Sequence, residues 1–577
     1  CEAEVADLKT RVARDPGAPG PGTLGRAGRA AASLRGGLRA AGRAARPAAL
    51  WRQHRLMTIA VLLALVPRIL AAASFRPALL TADSFLYMSG AVTHTLGSIR
   101  PSGYSFFLGA VGILPRPLLA VTVLQHLMGL AIAVIVYALL RYWGLPGWGA
   151  TLAALPILFD VREIALESYV LPDTVFALVI IVMVALLLTR RTPRWWQCGA
   201  AGLLLAYACV LRGNGLPLAV VAAVFLLIRK VGWKSLAAAA AAFAVPLLGY
   251  VAMFHATYGA WNLTTSDGIF LWSRTTSFAS CAVIRPPAQL RPLCPDRAAG
   301  ITVPAPAAWS VPHLLAAPTP STYLWSAGAW WRHDAHPGID RYNNRLGQRF
   351  AVAALTAQPL DYLRVVGRDV LLTFAATDRP QGASSMTFTP TARIPVLPSY
   401  YRADERAYAG TTENTHAVAP WSFWLFLYQQ PVVFPGLLFL AVIVAGLAGV
   451  LRSWRRWGGV AALPWALAAV SILSPALLTQ SLYRYVIVAI PLACLAAGLA
   501  FTGRRQPQPA ADPSSPQTTP EPAEPRTSLE PAQSRAPREP AESDVSRWPA
   551  ESHVPREAAP DGSTVAYDEP APPPSTT

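Results

Sequence analysis

The chain has 577 residues, of which 53% are hydrophobic and only 14% charged, and its mean hydropathy is +0.36. Those values exclude an ordinary soluble globular protein, in which about a quarter of residues are charged. The formal net charge of +18, from 49 Lys and Arg against 31 Asp and Glu, is spread unevenly and has to be read region by region.

Residues 1–56 carry eleven basic and four acidic residues among Gly, Ala and Pro, with no sustained apolar face. That pattern predicts a disordered, basic cytoplasmic arm lying against anionic headgroups. No aromatic interleaving or folded motif accompanies the charge, so membrane lipid is favoured over nucleic acid as its partner. A lipidated Cys1 is disfavoured, because the arm behind it should be cytoplasmic. The first apolar run starts only at Met57 and lacks a small-residue cleavage site before Asp83, so it predicts a span rather than a cleaved signal.

Apolar runs suited to hydrocarbon roughly 30 Å thick fall at approximately 57–74, 118–140, 148–160, 171–189, 197–211, 215–229, 235–255, 422–451, 459–478 and 483–502. The third, fifth and sixth are short for a full crossing. Basic clusters occupy alternate connections: the arm, Arg141, Arg190 to Arg194, Arg229 to Lys234, Arg452 to Arg456, and Arg504-Arg505. Short loops rich in Arg and Lys stay cytoplasmic, so both termini are expected inside. The expected fold is an all-α polytopic membrane protein of about ten spans. It divides into a transmembrane catalytic core over 57–255, an extracytoplasmic segment over 256–421 and C-terminal spans over 422–502. The tail 503–577, with twelve acidic and seven basic residues and abundant Pro, predicts disorder. Heavy use of Ala, Arg, Gly and Pro with only three Lys suggests a bacterial source, hence the bacterial plasma membrane.

The 256–421 segment carries Trp261, Trp272, Trp309, Trp325, Trp330 and Trp331, a density suited to a membrane interface or to stacking on sugars. Its second half predicts helices over 341–357 and 360–374, broken at Pro359. Cys281 and Cys294 lie close together in this outward region, where oxidation is permitted, and a disulfide is expected between them, with two free thiols as the alternative. Cys198, Cys209 and Cys494 read as apolar filler inside spans. No Cys and His spacing marks a structural zinc site.

Candidate functional residues gather at the expected outer ends of the spans. Asp83 follows the first span, and Arg100-Pro101-Ser102-Gly103-Tyr104 comes shortly after it. Further along are Glu167 to Phe176, which includes Pro172-Asp173, then Leu211-Arg212-Gly213-Asn214-Gly215, Gln358-Pro359-Leu360-Asp361-Tyr362-Leu363, and Tyr483-Arg484-Tyr485 with Pro491 beyond. Charges on a chain this apolar are costly unless they act. Each has a bland alternative: Asp83 as a helix cap, Asp173 as an acid favoured at a helix start, Arg100 as a lipid anchor, and Arg212 and Arg484 as snorkelling ends. Glu163 and Glu167, four apart beside Arg162, fit a solvated ion-pair cluster equally well. Gln125 and His126 read as helix-to-helix hydrogen bonds, and Trp330-Trp331 with His333, Asp334 and His336 as an interfacial turn.

In their order, these motifs resemble GT-C glycosyltransferases over roughly 57–502. That family of membrane enzymes takes sugars from polyprenyl-phosphate donors, and it includes protein O-mannosyltransferases and lipid A aminoarabinose transferases. The resemblance implies that Asp83 is the catalytic base and that Asp173 or Glu167 is a second carboxylate, orienting the acceptor or holding a divalent cation. It further implies that Arg100, Arg212 and Arg484 bind the donor phosphate. Tyr87, Tyr104 and Tyr485, within or beside the same motifs, are expected to position substrate. The sugar, a metal requirement and the acceptor (protein, lipid or cell-wall glycan) stay open. The competing classes are a transporter or lipid flippase, which should carry ionisable groups at mid-bilayer, and a non-catalytic scaffold acting through its tail. Spans nearly free of charge at their centres, and the absence of an internal repeat, favour the enzyme.

Overall fold

A run of Leu, Ala, Ile and Val with no glycine builds the first long helix, α1 (Pro47–Ser74), in the computed structural model of the chain. The structure describes residues 47–190, 192–295, 320–326, 329–333, 337–374, 388, 399–410, 415–454, 459–480 and 483–502. The basic arm up to residue 46, the tail from 503, Trp309, Asp334 and His336 lie outside the described residues.

From α1 the chain continues through α2 (Ala82–Thr93), α3 (Gly103–Val111), α4 (Pro117–Tyr142), α5 (Gly147–Phe159), α6 (Val161–Ser168), α7 (Asp173–Leu188), α8 (Trp195–Leu211), α9 (Gly215–Ile228) and α10 (Trp233–Tyr258). Three stretches, Trp51–Ser74, Pro117–Tyr142 and Trp233–Tyr258, are long and apolar enough to cross a membrane. Helices α5, α7, α8 and α9, with three C-terminal helices, are apolar but shorter, at 12 to 17 residues. Large apolar side chains stay uncovered along α1 (Leu62, Val66, Ile69) and α10 (Val245, Leu248, Met253), as a lipid-facing band requires. Leu130, Val136, Leu140, Ile180, Val184, Leu467 and Leu495 fill the interior of the bundle. This is a polytopic helical membrane protein.

The expected run 422–451 is not one helix. It breaks into α14 (Trp421–Gln429) and α15 (Gly436–Arg452) around Pro431 and Pro435, which have no N–H to donate to a helix. The backbone freed there is used elsewhere: the Val432 carbonyl accepts from Val161 N–H at 3.0 Å, which ties the break to the start of α6. Helix α16 (Ala462–Leu478), the single helical turn α17 (Tyr483–Val486) and α18 (Ala489–Ala500) complete the bundle.

The connecting segment builds its own small core. Helices α11 (Asp267–Thr275) and α12 (Arg341–Ala357) cross closely at Gly268, where any Cβ would run into the Asn344 carbonyl. Trp272, Trp330 and Phe350 are buried between them, and Trp272 Nε1 donates to the Leu293 carbonyl at 2.8 Å. These tryptophans therefore serve as core rather than as interface or sugar platforms, whereas Trp261 stays exposed. Pro359 opens α13 (Pro359–Thr373) at its first turn, where a missing N–H costs nothing. Cys281 and Cys294 are joined in a disulfide. Tyr362 of α13 donates to the Leu477 carbonyl at 3.0 Å, seating the segment on the end of α16.

Candidate active site

Five charged side chains from five separate parts of the sequence meet at the end of the bundle beneath this segment. Arg100 Nε donates to Asp83 Oδ1 at 3.1 Å, and Arg484 Nη1 donates to Asp83 Oδ2 at 3.1 Å. Through Nε the same Arg484 reaches Asp173 Oδ2 at 3.1 Å, and Arg212 Nη1 bonds Asp173 Oδ1. The result is an alternating chain, Arg100–Asp83–Arg484–Asp173–Arg212. Three guanidiniums against two carboxylates leave it with one net positive charge.

Local structure explains why each group is there. Asp83 sits in the first turn of α2 and Asp173 is the first residue of α7, where the positive end of the helix dipole favours a carboxylate. Arg212 caps the C-terminal end of α8, where a cation is favoured. Gly103 starts α3 hard against the Val210 carbonyl, leaving no room for a Cβ, so Arg-Pro-x-Gly packs directly onto the turn that carries Arg212. The Arg100 loop is pinned by the connecting segment: Thr265 N–H donates to the Ser98 carbonyl at 2.8 Å, and Ser266 Oγ to the Ile99 carbonyl at 2.9 Å.

Aromatic rings line the chain. The Arg100 guanidinium lies 4.9 Å from the Phe270 ring centre, and those of Arg212 and Arg484 lie 4.9 and 5.8 Å from Tyr485. Burial alone would raise the Asp83 pKa, but Arg100 and Arg484 outweigh it and hold the carboxyl at about 2. Burial and then Asp83 push the Tyr87 phenol upward, so it stays protonated. Tyr104 is fully buried behind Tyr87, its hydroxyl donating to Gln125 Oε1 at 2.7 Å; it supports the site from the core instead of facing it.

Glu167 is not part of this chain. Both of its oxygens are bound by Arg68 of α1, at 2.8 and 2.9 Å, and His126 Nδ1 lies 2.8 Å from Oε2. Glu163 is buried as well, so the pair is not a solvated cluster beside Arg162, and spans free of charge were too simple an expectation. The missed residue was Arg68, and its signal was plain: an arginine inside an apolar span must find a partner. Nothing in the sequence marks Phe270. Among the described residues, no three His, Cys, Asp or Glu side chains gather in a way that could hold a metal ion. Both oxygens of Asp83 and of Asp173 face guanidiniums, a donor set that does not fit a divalent cation.

No family model matches the sequence, and no curated protein matches it. Among solved structures, the oligosaccharyltransferase AglB from Archaeoglobus fulgidus, in complex with an inhibitory peptide and a dolichol-phosphate, is similar with a TM-score of 0.36 and 14% identity, over 78% of this chain and 50% of that one. ArnT from Cupriavidus metallidurans, bound to undecaprenyl phosphate, gives a TM-score of 0.29 and 16% identity over 77% of this chain and 76% of that one. The chain thus spans half the length of the archaeal protein.

Proposed function

We propose that the protein is a membrane glycosyltransferase that moves a hexose or pentose from a polyprenyl-phosphate donor to an acceptor hydroxyl. The observation that carries this reading is the alternating chain itself, two carboxylates bridged and flanked by three arginines at one end of an apolar helical bundle. Arginine binds phosphate oxygens in a forked geometry and stays charged at any working pH. In the reaction, Asp83 takes the proton of the acceptor hydroxyl while the oxygen of that hydroxyl bonds to the anomeric carbon. The bond from that carbon to the phosphate oxygen breaks, and polyprenyl phosphate leaves with the electron pair. Arg100, Arg484 and Arg212 stabilise the growing charge on the phosphate, and Asp173 holds the latter two in register.

Arg68, an ionisable group inside a span, leans towards a transporter, but it is fully engaged by Glu167 and by backbone carbonyls. The direct test of the donor class is equilibrium binding of undecaprenyl phosphate and of uncharged undecaprenol to purified protein. Binding of the phosphate alone, weakened in Arg212→Ala, is expected; equal binding of both lipids would overturn the assignment.

The alternating basic clusters support a site on the outer face of a bacterial plasma membrane, with both termini cytoplasmic. A cysteine at exposed Arg349 on α12 should react with an impermeant reagent in intact cells; reaction only after lysis would reverse the orientation.

A further inference from the structure

The sealed cluster around Glu167 sits at the root of both carboxylates in the open one. All five N–H donors of Arg68 are used: on Glu167 Oε1 and Oε2, and on the carbonyls of Ala64, Ile157 and Leu158 at 3.1, 3.3 and 2.7 Å. Helix α4 makes room for the Glu167 carboxylate at Gly129, where any Cβ would overlap Oε1. His126 Nε2 is buried without a partner, so the neutral ring with its proton on Nδ1, donating to Glu167, fits the hydrogen bonding. From the same helix, Gln125 Nε2 donates to the backbone carbonyls of Glu167 and Tyr169 at 2.9 and 2.7 Å.

The backbone that follows is tied directly to the two acids. Val170 N–H donates to the Leu79 carbonyl at 3.0 Å, and the Val170 carbonyl accepts from Ser84 Oγ at 2.9 Å, next to Asp83. Ser84 Oγ also accepts from Thr81 N–H at 2.9 Å, which fixes the turn that starts α2. Three residues beyond Val170 the chain reaches Asp173 and α7. One short segment, 167–173, therefore sets where Asp83 and Asp173 stand relative to each other, and Arg484 bridges them only while that spacing holds.

We infer that Glu167, clamped by Arg68 and His126, is a positioning residue for the transfer reaction: it fixes the 167–173 segment so that Asp83 and Asp173 share Arg484. This rests on the glycosyltransferase reading. It also accounts for a guanidinium and a carboxylate whose every donor and oxygen is engaged at a place where both are only 2% exposed. Reacting groups tolerate little displacement, and a shift of about 1 Å can cost on the order of 100-fold in rate. A role confined to holding helices together would alter the amount of folded protein and leave each folded molecule unchanged.

The pH dependence of kcat/KM for the donor separates the two, because it reports the free enzyme's essential groups. In the wild type the two guanidiniums hold Asp83 at about 2, so no acid limb should enter the range in which the protein stays folded. In Glu167→Gln the Arg484 bridge loosens, so burial is less opposed and the Asp83 carboxyl moves up from its depressed value, and an acid limb should come into view. The kcat should fall about tenfold or more, with the donor KM changed less than about threefold. If Glu167→Gln folds poorly, Gln125→Leu, which leaves the Arg68 ion pair intact, should show a smaller shift of the same sign. Unchanged kcat/KM and pH profile per folded molecule in both variants would overturn the inference while leaving the glycosyltransferase reading intact. A wild type that turns over no donor would remove both.

Discussion

Two arginine–carboxylate clusters lie a few residues apart in this protein and use the same chemistry to opposite ends. In the sealed one, Arg68 and Glu167 are each 2% exposed, and every guanidinium N–H has a partner. In the open one, Asp173 is fully buried but Arg100, Asp83 and Arg484 are 22, 15 and 12% exposed, and one positive charge is left over. A closed, neutralised pair adds rigidity, whereas a chain accessible at one end and carrying surplus positive charge can exchange a partner for an incoming phosphate. Residue type does not separate the two; access and leftover charge do.

The comparison is broken most severely at Asp83. Asp83→Asn keeps the size and most of the hydrogen bonding but removes the basicity, and it should lower kcat at least about 100-fold while donor binding survives. Arg100→Ala should act mainly on donor affinity, raising KM about tenfold, since a phosphate partner holds the ground state as well as the transition state. Steady-state kinetics of the two variants should therefore diverge, one in kcat and the other in KM. Equal loss of both parameters in both variants would show that the open chain acts as a structural unit like the sealed one.

The smallest effect belongs beside the sealed cluster. Burial, then the neighbouring Asp160 and Glu167, push the Glu163 carboxyl well above its ordinary 4.5, and its Oε1 has no hydrogen-bond partner. An acid raised in the folded state contributes stability below its unfolded value and loses it as pH rises through the folded value. Glu163→Gln keeps the neutral form at every pH. Its thermal midpoint should match the wild type in acid and exceed it by roughly 2 °C near neutrality. A variant less stable at neutral pH would mean that the Glu163 charge is used.

Much of the open site was legible because charge in an apolar chain is conspicuous. Asp83, Arg100, Asp173, Arg212 and Arg484 each stood out at the end of a run, and the structure gathers all five. Pairing was not legible: Arg484 meets an aspartate 401 positions earlier, and no local period encodes that. Glu167 stood out by the same rule and went to the wrong cluster, because Arg68 was counted as part of a span instead of as a charge in need of a partner. The helix break at Pro431 and Pro435 was hidden by the uniform apolarity around it. The tryptophans of the connecting segment misled in the other direction, since a ring that suits an interface suits a core equally well until its neighbours are known.

The central claim is that the open chain of five charges performs sugar transfer from a lipid phosphate. The most direct measurement incubates the purified protein with a radiolabelled polyprenyl-phosphate sugar and follows the label, with Asp83→Asn as control. Wild-type protein should release polyprenyl phosphate and move the sugar to an acceptor or to water, while Asp83→Asn binds the donor and leaves it intact. Donor left whole by the wild type across a panel of hexose and pentose donors, or consumed equally fast by Asp83→Asn, would contradict the account.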